Sequence, residues 1–301
     1  MSQLNDESKW LGQFIPTHYH YNMLLDDVRM QGFKAALDYA VKPDAKVVDL
    51  GGGTGVLSFF AARNASKVWC VERNHELVRI ARRMLPQNKN GDRVEVVHAD
   101  VFDYLPPEPV DVVVCEMLHV AMLCERQIEV IESFKRRYLA NFGGPLPVFV
   151  PEACIQGVQP VQQDYSYEGY YAATILFQNP TAIQDRTISL ADPVLYQVFC
   201  YADNLSMACK WQGTLVVSNE GILNALRFIT KNVLVIRTDV GDTIDWHSAY
   251  LVMPIERPIQ VHAGDQIHIG FSYTAGAELG ALQPEVSVTL AASNQSTVVN
   301  G

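Results

Sequence analysis

Short apolar runs alternate with amphipathic stretches through the first half of the chain. Residues 46–50, 67–72, 93–99 and 110–116 read as strands. Between them 55–65, 74–85 and 124–138 carry helical spacing, and 23–41, ahead of the first strand, repeats apolar residues at three- and four-residue steps. Strand–helix alternation of this kind builds a parallel sheet with helices on its faces. After Gly143-Gly144-Pro145 the pattern changes. Residues 148–150, 194–201, 213–217, 226–236, 249–253, 267–273 and 285–291 read as strands separated by Gly, Pro, Asn and Asp. The stretches 258–261 and 267–270 read as strands paired around Ala263-Gly264-Asp265. The expected architecture is an α/β domain over 1–148 with a parallel-rich sheet, followed over 149–301 by a mostly antiparallel β-barrel or sandwich.

Composition narrows the class. Of 301 residues, 49% are hydrophobic and 19% charged, ordinary for a globular protein of about two domains at roughly 150 residues each. The formal net charge of −10 is dispersed rather than blocked. It argues against nucleic acid as a partner, which needs a basic surface, and is compatible with a cationic substrate. The six cysteines lie mostly inside apolar runs, without CxxC pairs, so buried reduced thiols and no metal centre are expected. Met1 to Trp10 is polar, and no run of about 18 apolar residues occurs, so neither a signal core nor a spanning helix is expected. A cytoplasmic protein is the resulting expectation.

The sharpest motif is Val47-Val48-Asp49-Leu50-Gly51-Gly52-Gly53-Thr54-Gly55, which ends a strand and opens a helix. Glycines at 51, 53 and 55 allow a tight turn and let a ligand approach the backbone closely. Dinucleotide folds use a similar turn, so its neighbours decide. Asp49, before the first glycine, resembles the methyltransferase pattern DxGxGxG. Glu72 ends the next strand, where a carboxylate accepts from ribose hydroxyls. Asp100 ends the one after, where methyltransferases place an acid near the adenine. This set reads as a site for S-adenosylmethionine, with S-adenosylhomocysteine as its product. The bland alternative is a glycine turn with two surface acids.

On the acceptor side, Glu116 ends the fourth strand and Glu125 follows nine positions later, with an apolar stretch between them. Two carboxylates sharing a low-dielectric pocket repel unless a cation or proton lies between them. A guanidinium, planar and permanently charged, suits that place. The alternative for Glu125 is an exposed residue opening the next helix, favoured there by the helix dipole.

These residues resemble the protein arginine methyltransferase family. Its double-glutamate loop reads Ser-Glu-x-Met-Gly with a second Glu nine positions after the first. Cys115-Glu116-Met117-Leu118-His119 through Glu125 keeps both glutamates and their spacing but not the Ser, Met or Gly. His20-Tyr21-Asn22-Met23-Leu24-Leu25-Asp26-Asp27-Val28-Arg29 looks like the family's helix before the glycine motif, which implies that Arg29 binds the cofactor carboxylate and Met23 lines the site. Thr243-Ile244-Asp245-Trp246 resembles the family's Thr-His-Trp loop in the β-barrel. The resemblance implies a Rossmann-like methyltransferase domain with Glu116 and Glu125 as catalytic residues. Met117, His119, Asp26, Asp245 and Trp246 fall on the substrate side.

The departures concern the acceptor. Asp245 stands where the family has a histidine paired with an acid, here Asp26; this would set two carboxylates face to face, with one of them protonated, or both jointly holding a cation, or the loop shifted. The nearby His247 offers a steric substitute or a surface histidine. Phe14, Tyr19 and Tyr21 are loose counterparts of the family's aromatic N-terminal signature. The Tyr-rich segment 162–185 falls where the family carries its dimerisation arm, so a homodimer is a possible assembly. The resemblance implies methyl transfer to a guanidino nitrogen of a protein or a small arginine-like acceptor. The alternatives are N- or O-methylation of another metabolite or side chain, or a non-catalytic scaffold.

Overall fold

The computed structural model describes residues 17–291 and 298–300. Phe14 and the side chain of Tyr19 lie outside the described residues. Helices α1 (Thr17–Leu25) and α2 (Asp27–Ala40) precede β1 (Lys46–Leu50), α3 (Val56–Ala61), β2 (Lys67–Glu72), α4 (His75–Met84), β3 (Val94–His98), β4 (Val112–Cys115), α5 (Gln127–Phe142) and β5 (Val148–Val150). The five strands form one parallel sheet in the order β3-β2-β1-β4-β5. β1, β2 and β4 are almost wholly buried, as their unbroken apolar runs require of strands covered on both faces. Strand order reverses between β1 and β4, and ligands bind in the crevice outside the strand ends at such a point. Gly51 and Glu116 are the first residues beyond those two ends.

In the first half strand placement follows the sequence pattern closely, while two helices differ; in the second half the long strand Ala153–Gln163 was not among the strands read from the sequence. α3 is a short helix, ending at Ala61 rather than 65. α5 begins at Gln127 instead of 124, because Ala121, Met122 and Cys124 take left-handed φ of 58°, 55° and 61°. Such angles cannot propagate a right-handed helix. The strand 148–150, read with the second half, pairs parallel with β4, so the architecture changes at Pro151.

Beyond Pro151 all paired strands are antiparallel. A seven-stranded sheet is built around Ala153–Gln163, Gly221–Arg237 and Tyr250–Val261, and a four-stranded one around Ala208–Val216 and Gln266–Thr274. Their inner faces meet through Tyr196, Phe228 and Phe271, whose rings stack edge to face with centroids 5.0–6.2 Å apart. The expected hairpin between 258–261 and 267–270 does not form. The two strands belong to different sheets, because the turn is committed elsewhere: Asp265 accepts from the amides of His262 and Ala291 at 2.8 Å. All six cysteines are free; Cys70, Cys115, Cys154 and Cys209 are buried. Among the described residues no helix is long and apolar enough to cross a membrane, and no cluster of side chains is arranged to hold a metal.

The two halves meet along α2, which packs on the strand Asp242–His247. Phe33 and Trp246 are 6.1 Å apart, and a Cβ on Gly32 would stand 3.2 Å from Leu234.

Candidate active site

A cavity of about 1070 Å³ opens outside the carboxyl ends of β1, β2, β3 and β4. Its wall carries Met23, Asp26, Arg29, Asp49, Gly51, Gly53, Glu72, Asp100, Glu116, Met117, His119, Glu125 and Trp246, so most of the residues singled out in the sequence converge on one space. Gly55 and Asp245 are not on this wall.

At the cofactor end, Gly51, Gly53 and Gly55 all have positive φ, which ordinary side chains avoid. A Cβ on Gly53 would meet the His20 ring at 3.3 Å, and one on Gly51 would meet the Met117 side chain at the same distance. Gly55 caps α3 against Leu85 and shapes the turn from behind. Glu72 accepts from the amide of Gly53 at 2.9 Å and from that of Asn74 at 2.7 Å, tying the turn to the end of β2. A carboxylate has about four acceptor sites, so capacity for ribose hydroxyls remains. Asp49 is buried beneath the turn, where it accepts from Ser58 at 2.6 Å and burial pushes its pKa up to about 7. Asp100 accepts from the amide of Phe102 and pairs with Arg73 at 2.9 Å, and the Arg126 guanidinium lies 4.3 Å from the Phe102 ring centre.

At the acceptor end, Arg29 forms a buried ion pair with Glu116. Its guanidinium also lies over Phe33 and Trp246, at 5.4 and 5.8 Å from their ring centres. Asp26 caps α2 by accepting from the Arg29 amide at 2.9 Å. Beside this pair Glu125 has its pKa raised to about 8, first by burial and then by the Glu116 charge. His119 stands edge-on to Phe177, with ring centres 5.6 Å apart.

Asp245 turns away to Lys231, 2.7 Å off, and accepts from Thr243 at 3.0 Å. The two carboxylates expected to face one another therefore have separate partners, the Arg29 amide for Asp26 and the Lys231 ammonium for Asp245. His247, half-buried, has an unpartnered Nδ1 and a pKa lowered by burial and by Lys231.

Several participants were not singled out in the sequence. His20 opens the motif whose Met23, Asp26 and Arg29 were singled out, and folding sets its ring beside the glycine turn. Fully buried Gln127 accepts from the Met117 amide at 2.9 Å and donates to the Cys115 carbonyl at 2.7 Å, clasping the backbone on either side of Glu116. Thr230 accepts from the amide of Ala121 at 2.8 Å, and Phe177 arrives from the strand Leu176–Gln178. These three contacts depend on folding and have no local signature.

The residues fit an S-adenosylmethionine-sized ligand on two counts. The glycine turn leaves a cradle that Cβ atoms would fill, and the buried Nε of Arg29 and Nε2 of His20 lack partners. Residues 47–139 match the family model of a methyltransferase domain. The chain is thus an S-adenosylmethionine-dependent methyltransferase.

It is a divergent one, similar to the protein arginine methyltransferases. Over 153 residues it is 33% identical to protein arginine N-methyltransferase 1 of Schizosaccharomyces pombe, a match covering 50% of this chain and 44% of that protein. An uncharacterized protein of Methanothermobacter thermautotrophicus is 27% identical over 91% of this chain and 99% of its own length. The fold is that of the Trypanosoma brucei PRMT1 enzyme–prozyme heterotetrameric complex with AdoHcy, at a TM-score of 0.75, 17% identity and 98% coverage of both chains. Arabidopsis thaliana protein arginine methyltransferase 10 follows at 0.74 and 18%, covering 96% of this chain and 97% of its own.

Proposed function

We propose that this methyltransferase acts on a guanidino nitrogen. The observation that carries the reading is the Arg29–Glu116 pair: the Glu116 carboxylate takes a guanidinium, and a second carboxylate, Glu125, stands beside it without a cation of its own. An incoming guanidinium satisfies both, while the cofactor's own carboxylate gives Arg29 an alternative partner. S-adenosylmethionine supplies an electrophilic methyl group. The chain binds and orients: Glu72 and Asp100 hold the nucleoside end, the glycine turn and Arg29 the amino-acid end, and Glu116 with Glu125 fix the acceptor nitrogen toward the methyl. Positioning and preorganised charge supply most of the rate in such a site.

Whether the guanidino group belongs to a protein or to a small arginine-like molecule is decided by assay. Labelled cofactor is incubated with lysate separated into protein and small-molecule fractions, with wild type and Glu116→Gln in parallel. Label hydrolysing to methylated arginine, lost in the variant, supports the reading. Label on a molecule without a guanidino group refutes it.

The reading includes a homodimer. The hairpin of Ser166–Tyr167 and Tyr170–Tyr171 exposes Tyr167, Tyr170 and Tyr171, and α1 and α2 expose Tyr21, Leu25 and Val28. Two separate apolar patches on one chain can satisfy each other between two copies.

A further inference from the structure

Between the two glutamates stands a side chain that the arginine methyltransferase pattern lacks. Where that pattern has glycine, this chain places the His119 imidazole on the wall of the same cavity as Glu116 and Glu125. Its Nδ1 lies 3.2 Å from the carbonyl oxygen of Val120. A carbonyl only accepts, so Nδ1 carries the proton, and in a neutral ring Nε2 then holds a lone pair. The edge-on contact with Phe177, at an interplanar angle of 86°, limits rotation of the ring. Burial lowers its pKa below the ordinary 6.5, keeping it neutral and free of repulsion toward a cation. The residue replacing the family's histidine, Asp245, is occupied by Lys231 and lies off the cavity wall.

We infer that Nε2 of His119 is the proton acceptor for the nitrogen being methylated, an assignment that rests on the guanidino reading. The acceptor nitrogen uses its lone pair to form the new bond to the methyl carbon, and the sulfonium sulfur keeps the electrons of the bond that breaks. The N–H bonding pair returns to nitrogen and restores conjugation as its proton passes to Nε2, leaving an imidazolium that releases the proton to solvent. An alkylated nitrogen outside the guanidinium conjugation is strongly acidic, so a weak base suffices. Glu116 and Glu125 hold the charge of the acceptor, and His119 receives the proton.

Two measurements test this. Long-range proton–nitrogen correlation spectra of protein labelled with 15N-histidine and saturated with S-adenosylhomocysteine, assigned with His119→Gln, read the ring near pH 7. A neutral ring protonated on Nδ1 is expected; protonation on Nε2, or an imidazolium, overturns the assignment. Kinetics of wild type, His119→Gln and His119→Phe then use N-acetylarginine amide and an arginine-bearing peptide as probes. Both variants are expected to lose roughly 100-fold or more in kcat. His119→Gln, whose amide oxygen still accepts a hydrogen bond, should keep a near-normal KM for the probe, and cofactor Kd should stay within about twofold of wild type in both variants. A His119→Phe enzyme with normal kcat, or a parallel loss of cofactor affinity, overturns the assignment. Transfer by wild type to neither probe overturns the guanidino reading itself, and the tautomer spectrum still judges His119 separately.

Discussion

Arg29 in α2 and Glu116 beyond β4, 87 positions apart, are ion-paired inside the cavity, so in the free protein Glu116 already holds a guanidinium of the same chain. Both side chains are nearly buried, at 6% and 12% exposure. Removing one partner strands the other, a loss of roughly 3 kcal/mol. Arg29→Ala is therefore expected to lower the melting temperature of the ligand-free protein, and to weaken cofactor binding measured by calorimetry. Glu116→Gln should destabilise less and leave cofactor binding intact while abolishing methyl transfer.

Glu125 gives a pH signature. Its proton is held to about pH 8 in the fold against an ordinary 4.5 when unfolded. Between those values the native state binds more protons, so stability falls as pH rises and levels off above about 8. Asp49, raised to about 7, adds a slope of the same sign. Glu125→Gln removes its own share. Urea melts should show the variant more stable than wild type at pH 8, by roughly 4 kcal/mol, with the curves converging toward about pH 4.

The same carboxyl must ionise to receive a cation. Binding of N-acetylarginine amide to the S-adenosylhomocysteine complex should thus release protons below pH 8 and tighten as pH rises toward it. Calorimetry in buffers of different ionisation enthalpy measures the release. Unchanged proton release in Glu125→Gln would assign it to another group.

Asp245 and Lys231 are 22% and 36% exposed, so their ion pair is partly screened. Lys231→Met is expected to cost less than about 1 kcal/mol in urea unfolding and to leave cofactor Kd unchanged. A large loss of cofactor affinity would show that the strand Asp242–His247 governs α2 more strongly than its packing suggests.

Tyr170 and Tyr171 are 73% and 62% exposed on their hairpin. Replacing both with Ser should convert a dimer into a monomer in sedimentation equilibrium. A wild-type monomer at micromolar concentration refutes the arm-mediated assembly.

The cofactor end was legible because it is local. Asp49, the glycine turn and the carboxylates at strand ends each follow from strand–turn–helix order, and β1 and β2 run over the residues that their apolar patterns marked. At the other end the sequence marked Glu116, Glu125, Met117, His119, Asp26 and Trp246, which the fold brings onto one wall. What holds them depends on long-range register: Phe177 reaches His119 because Leu176–Gln178 pairs with Tyr250–Val252, and Lys231 reaches Asp245 across a hairpin. The late start of α5 was hidden because Ala121, Met122 and Cys124 carry no sequence mark of a left-handed backbone. Their conformation is imposed from outside, through Thr230 on Ala121, Ala277 on Cys124 and Gly276 on Met122.

That imposed conformation divides the site. Each left-handed residue costs about 1–2 kcal/mol that only the neighbouring β-structure offsets. Substitutions in the antiparallel sheets around Thr230, or at 274–277, therefore act on the segment between Glu116 and Glu125 and leave the glycine turn and its carboxylates untouched, so the two ends of the cavity answer to different parts of the chain.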